Sequence, residues 1–289
     1  MTIKRILVLA NSTKHHPKSC VAGRELIDEG GGKTRWGGWI RPVSNHDEGA
    51  LDFTERRLAN GGDPKPLDVI QVPVSGQENN PLQPENWLIE AGQSWTKQSS
   101  YDAQDLLQLV EEPQDLWLQP GQQNDRVHKT FLQRLPDLQS LYLIRPEKFS
   151  FEVRSKTWNS ETKKKIRAVF TYKKQYYNLA LEDPTIVRKN FPDFSKAPEG
   201  ETAINKPVLL CVKACRKNSK SSKNPAFISR WSQLFWKSRH NDDCSITTGV
   251  HNRPFQSGVR EVFDVVEAAQ HSSDGRCSLV PLQSIQPAL

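Results

Sequence analysis

No stretch of the 289-residue chain approaches the roughly 20 apolar residues that a membrane-spanning helix needs. The first apolar run, "RILVLA" at residues 5–10, is too short for a secretory-signal core and leads straight into polar chain. Cysteine is scarce. The five residues at 20, 211, 215, 244 and 277 are odd in number and scattered, which argues against a disulfide framework and fits a reduced, cytoplasmic protein. A glycine is missing where a nucleotide-binding loop requires one. Gly32-Lys33-Thr34 matches the end of G-x-x-x-x-G-K-[ST], but the position five before Gly32 is Ile27. The run Arg35-Trp36-Gly37-Gly38-Trp39 is also a poor helix start, whereas a phosphate loop opens a helix. Gly30-Gly31-Gly32 reads instead as a hairpin turn feeding a strand from Thr34 to Ser44. The sequence shows no paired metal-binding carboxylates, no Ser-His-Asp arrangement and no internal repeat.

What is present is positive charge, unevenly spread. The net charge is +7 and the mean hydropathy is −0.67. Residues 1–45 carry 8 basic and 3 acidic side chains, whereas residues 46–150 carry 9 and 17. Arg154–Gln175 holds 8 basic side chains against 1 acidic, and Lys213–His240 holds 8 with none acidic. Clustered cations with interleaved Trp, Tyr and Phe are the footprint of a nucleic-acid surface, although a solvated, soluble face has the same composition.

The periodicity predicts strands at Lys4–Ala10, Thr34–Ser44 and Leu67–Val74, with a polar basic loop at Asn11–Ser19. "SYDAQDLLQLVEE" reads as a helix, with Ser99 or Ser100 as N-cap and Asp102 in its first turn. "NDRVHKTFLQRL" is a weaker helix or a loop. β signals return at "SLYLIRP" and "FSFEVRS". The clearest hairpin has Ile166, Ala168, Phe170 and Tyr172 on one arm and Tyr177, Leu179 and Leu181 on the other, around Lys173–Gln175. "PVLLCVKA" adds a strand, "RKNSKSSKN" resembles a linker, and "PAFISRWSQLFW" reads as a short helix. Strands, an insert with helical character and more strands give a mainly β fold with helical insertions, as two small barrels in tandem. The expected divisions are 1–75 for the first barrel, 76–139 for the connector, 140–216 for the second barrel and 217–289 for a basic linker and extension.

Several segments together resemble the dual OB-fold domain family, a bacterial module associated with anti-phage defence genes. They are "KRILVLANSTKHHPKSCVAG" at the start, "GGWIRPVS", "PLQPENW", "NDRV" and "SLYLIRP". The resemblance implies two tandem OB-like barrels with nucleic acid, DNA or RNA, or a nucleotide-like ligand as partner. It also implies a sensor or adaptor role among other defence-system proteins.

An OB barrel binds single strands by aromatic stacking beside a positive groove. Strand alternation puts Trp39 and Arg41 on one face, where one could stack and the other meet a phosphate. Alternatively, Trp39 fills the barrel and Arg41 pairs with a carboxylate such as Glu25. Ser12, Lys14 and Lys18 lie in the loop at the same end, and Arg126 opens a later element. Arg145, Lys148, Arg154, Arg167 and Tyr172 make a candidate basic groove in the second half, with Lys217, Lys220 and Lys223 in the tail. Cys211, Cys215, His240 and Cys244 suggest a metal site, but Cys211 and Cys215 would sit about 13 Å apart on an extended strand. No metal, cofactor or catalytic residue is expected, and the leading reading is a non-enzymatic nucleic-acid-binding module. The rivals are a nucleic-acid-processing or nucleotide-modifying enzyme using Cys20 or Asp183, and a protein-interaction scaffold.

Overall fold

The computed structural model describes residues 1–15, 18–46, 49–117, 126–158, 161–215 and 227–236. Five strands, β1 (Thr2–His15), β2 (Lys18–Gly30), β3 (Lys33–Val43), β4 (Asp68–Gln77) and β5 (Asn86–Ile89), form a closed ring. Its order is β1-β2-β3-β5-β4, with β4 returning to pair with β1, and β3–β5 is its parallel pair. β6 (Thr96–Ser100) adds to the outer edge of β4. The sheet therefore runs past residue 75, where the sequence suggested a connector. β5 is only four residues long, too short for its period to stand out.

The second sheet repeats this plan with one strand interrupted. It contains β7 (Arg126–His128), β8 (Leu141–Ile144), β9 (Lys148–Trp158), β10 (Glu161–Tyr172), β11 (Gln175–Leu181), β12 (Gly200–Ala203), β13 (Val208–Cys215) and β14 (Phe227–Trp236). β9, β10 and β11 form a meander, β11 pairs in parallel with β14, β14 pairs with β13 and β13 pairs with β8. β8 and β9 are joined through Arg145-Pro146-Glu147, so together they take the place that β1 fills alone in the first barrel. Proline lacks the N–H that an unbroken ladder would need there.

Two sequence readings change. The segment read as a helix from Ser99 or Ser100 is the end of β6, followed by a 3-10 helix, Ala103–Leu109, that Asp102 caps by accepting from Gln104 N. "PAFISRWSQLFW" supplies the strand β14 instead of a helix. Its Phe, Ile and Trp content favours a strand, and the three strands β7, β11 and β13 supply ladder partners. The hairpin turn at Gly30–Gly32 is present, with φ of 83°, 61° and 78°. Gly23 is required for a different reason: a Cβ there would lie 1.9 Å from the Leu7 carbonyl oxygen.

The run "ILVL" is apolar on both parities because β1 is covered on both faces. Ile6 and Val8 fill the first barrel with Val21, Ile40, Ile70 and Val72. Leu7 and Leu9 point outward into a cluster with Ala22, Trp39, Leu106, Leu141, Leu143, Leu209 and Cys211. That cluster draws on both barrels and is the seam between them. Polar contacts lock it. Glu111 accepts from Trp39 Nε1 (2.9 Å), Leu143 N (3.0 Å) and Gln139 Nε2 (2.8 Å), and pairs with Arg24 at 3.2 Å. Glu85, in the β4–β5 loop, accepts from the backbone and hydroxyl of Ser140. Burial pushes the Glu85 carboxyl up, while its hydrogen bonds and the Lys213 charge pull it back. Lys213 itself is fully buried.

Glu111→Ala removes an acceptor shared by both barrels and leaves Trp39 Nε1 and Leu143 N to find water in a largely closed seam. We expect a loss of about 2–4 kcal/mol, and a smaller loss for Glu111→Gln, read from urea unfolding midpoints.

Candidate nucleic-acid interface

Trp39 and Arg41 do share the outer face of β3, as alternation requires, but the second barrel and the connector cover that face. Trp39 is 5% exposed and Arg41 2%. The Trp39 ring packs in the seam, so it presents no free surface to a base. Arg41 donates to Gln83 Oε1 at 2.7 Å and Asn86 Oδ1 at 2.8 Å, and its guanidinium reaches Cys20 Sγ at 3.7 Å. Glu25 is engaged by Lys4 instead, at 2.8 Å. The apolar strip along β1–β3 explains the correction, because burying it stabilises more than leaving the face open would.

Ser12 is buried as well, Lys18 is half-buried, and the side chains of Lys14 and Arg126 lie outside the described residues. Lys217, Lys220 and Lys223 also lie outside them. Cys20 is buried in the Arg41 environment. Asp183 caps the helix Pro184–Asn190, accepting from Thr185 N and Ile186 N. Among the described residues, no group of three His, Cys, Asp or Glu side chains is placed to hold a metal ion. Cys211 is buried in the seam, where burial and the Glu111 charge push its thiol up.

The second barrel leaves its corresponding face less covered. On β9–β11 the inward residues, including Phe149, Phe151, Ile166, Ala168, Phe170, Tyr172, Tyr177 and Leu179, form the barrel core. Tyr172 is among them, only 4% exposed, with its hydroxyl donating to Pro113 O at 2.8 Å. Burial, helped by the Glu112 charge, pushes that phenol up to about 12. The sequence parity already implied this, since Tyr172 continues the Ile166-Ala168-Phe170 row. By the same parity Tyr176 faces outward next to Tyr177, and it is 49% exposed.

Outward residues of this sheet align in rows. Ser150, Val169 and Asn178 are opposite one another across three strands and are buried, forming a floor. On one side of them lie Lys148, Thr171 and Tyr176, and on the other Glu152 and Arg167. Hydrogen bonds tie the second row together. Arg154 donates to Glu152 at 2.5 Å, Asn178 Nδ2 to Glu152 at 2.8 Å, and Arg167 to the side chain and carbonyl of Asn178. Glu201 on β12 accepts from Ser150. Lys148, Arg154 and Arg145 are exposed, although Arg145 lies in the β8–β9 link and not on this sheet. The result is a buried floor with a cationic rim and the exposed Tyr176 ring beside it.

The β10–β11 turn places Lys173 and Lys174 at φ of 47° and 63°, where Asn-Gly would be relaxed. Lys173 Nζ donates to Glu112 O at 3.0 Å, and Lys174 N to Glu147 Oε1 at 3.2 Å.

Residues 4–219 match the dual OB-containing domain family. The chain belongs to that family. No curated protein matches it. Among solved structures, a murine DNA-binding protein bound with double-stranded DNA aligns over 82% of this chain and 98% of its own, at 9% identity. Its TM-score of 0.27 is too low to carry an argument. No helix among the described residues is long and apolar enough to cross a membrane.

The burial pattern separates two aromatic substitutions. Trp39→Ala should cost about 3–5 kcal/mol of stability, as a seam residue does, whereas Tyr176→Ala should stay within about 0.5 kcal/mol of wild type in urea unfolding.

Proposed function

We propose that this dual OB protein binds nucleic acid through the outer face of β10–β11 in its second barrel. One observation carries the reading: the face that OB barrels use for oligonucleotides is docked in the first barrel, whereas in the second it leaves Lys148 and Tyr176 exposed beside a buried floor. On the available face, Tyr176 offers a ring to an unstacked base, while Lys148 and Arg167 flank it with positive charge. The Glu152–Asn178–Arg167 hydrogen bonds hold the guanidinium in place before any ligand arrives, which lowers the ordering cost of binding. The β4–β5 loop of the first barrel is engaged through Gln83 and Glu85 with the second, so the first barrel acts as a support.

Lys14, Lys18, Arg126, Arg145, Lys217, Lys220 and Lys223 add long-range attraction in this reading and read no bases. A sensor or adaptor role in bacterial anti-phage defence, in the cytoplasm and with other defence proteins as partners, rests on the resemblance in sequence motifs. An enzymatic reading has less support, because Cys20 is buried and Asp183 is occupied as a helix cap.

Tyr176→Ala should weaken binding to a single-stranded oligonucleotide by about 1–3 kcal/mol, the worth of one stacked base. Arg167→Ala should weaken it too and make the salt dependence shallower by about one unit. Fluorescence anisotropy at two salt concentrations reads both, and unchanged affinity in both folded variants would remove this face from the site.

A further inference from the structure

Beyond the sheet face, β9 and β10 continue as a separate two-stranded arm. β12 pairs with β9 only at residues 150–153, and β11 pairs with β10 only at residues 167–172. Among the described residues, 154–158 and 161–165 pair with each other and with no third strand. Each side of the arm is about 17 Å long at roughly 3.4 Å per residue.

The two faces of the arm differ. Arg154 is directly opposite Lys165, and Lys156 directly opposite Lys163, so four cations form a block two wide and two long on one face. All four are exposed. The other face carries Ser155, Thr157 and Thr162, with the two threonine hydroxyls 2.9 Å apart, and Lys164, which donates to Ala197 O at 2.6 Å. Like charges directly opposite on paired strands destabilise them, and an isolated two-stranded ribbon is marginal in water. Glu152 offsets part of that repulsion through its ion pair with Arg154, and the block as a whole stays cationic. A polyanion would offset more of it.

We propose that this arm enters the major groove of B-form DNA, with the Arg154, Lys156, Lys163 and Lys165 face turned toward the duplex. The dimensions agree, since a major groove about 12 Å wide and 8.5 Å deep admits a two-stranded β-ribbon. The charge layout agrees as well. Cations in a two-by-two block reach acceptors across a groove, whereas one strand threaded over a sheet presents phosphates in a line. The deep, narrow major groove of A-form RNA excludes the arm, so DNA duplex is favoured over RNA duplex. The proposal deepens the nucleic-acid reading but uses residues that the β10–β11 face does not require.

The test compares wild type with a Lys156→Gln, Lys163→Gln, Lys165→Gln variant on a 20-base-pair DNA duplex, the RNA duplex of the same sequence and the single strand. Circular dichroism checks the fold, and a Lys156→Gln, Lys163→Gln variant serves if the triple one is unstable. We expect at least a tenfold loss of DNA-duplex affinity at low salt. The slope of log affinity against log salt should fall by about 2.7 for three lost phosphate contacts at 0.9 each. Single-strand binding through Tyr176 should stay within twofold. Wild type should prefer the DNA duplex to the RNA duplex. Equal DNA-duplex affinities for wild type and variant would overturn the proposal, as would equal wild-type affinity for the two duplexes. A parallel loss of single-strand binding would also overturn it, by making the arm part of one general anionic surface. If Tyr176→Ala leaves single-strand binding intact while the arm variant still loses duplex, the sheet-face reading fails and the arm stands.

Discussion

The Glu111 carboxylate sits where the two barrels and the connector meet, and much of the arrangement depends on it. Its oxygens accept from Trp39 on the first barrel, Leu143 on the second and Gln139 just before β8, with Arg24 alongside. A carboxylate in such a seam is tolerable only while its lone pairs are filled. The requirement is reciprocal, because the indole N–H of Trp39 would otherwise be a donor left in an apolar cluster. Each barrel therefore supplies what the other needs, and the apolar strip of Leu7, Leu9 and Ala22 gains its cover in the same step.

This docking divides the work between two barrels of the same plan. The first uses its outer β2–β3 face and its β4–β5 loop for the seam, where Glu85 holds Ser140 and Gln83 reaches Ala214. The polar residues of "WIRP" and "QPENW" meet there, since Arg41 bonds to Gln83 and Asn86. Motif residues that look like a ligand site in sequence are in this fold the internal wiring of a joint. A buried arginine with amide partners positions strands. It is not available to a phosphate.

Much of the architecture was legible in the sequence, for reasons that particular residues make plain. The alternation of Ile166, Ala168, Phe170 and Tyr172 defined a hairpin arm and its inner face, and the glycines at 30–32 marked a turn. Where the reading was incomplete, the missing information was not local. Leu7 and Leu9 signal a strand covered on both faces, but nothing in "ILVL" says that the cover is a second barrel. Trp39 and Arg41 were correctly placed on one face, while the exposure of Trp39 depended on Leu141, Leu143 and Leu209, a hundred or more residues away, and Arg41 was engaged by Gln83 and Asn86. β14 was read as a helix because its partners, β7, β11 and β13, cannot be inferred from its own ten residues. Tyr176 could have been found, since the parity that sent Tyr177 inward sent its neighbour outward.

The same logic explains why charge has two signs along this chain. Carboxylates concentrated between residues 46 and 150 include Glu85 and Glu111, which lie in the seam and anchor the backbone and side-chain donors of the neighbouring barrel. Positive charge in Arg154–Gln175 lies mainly on the outer face and the arm, where Glu152, Glu161 and Glu201 are the acidic positions of the paired strands. Acidic groups thus hold the two barrels together, and basic groups are left where a large anion can reach them. A single net charge conceals this division, because the seam carboxylates have cations beside them, Arg24 for Glu111 and Lys213 for Glu85, and leave the outer surfaces to set the field. With 8 basic side chains against 1 acidic in Arg154–Gln175, the charge that a polyanion meets at the second barrel is concentrated there and not spread as +7 over the whole chain.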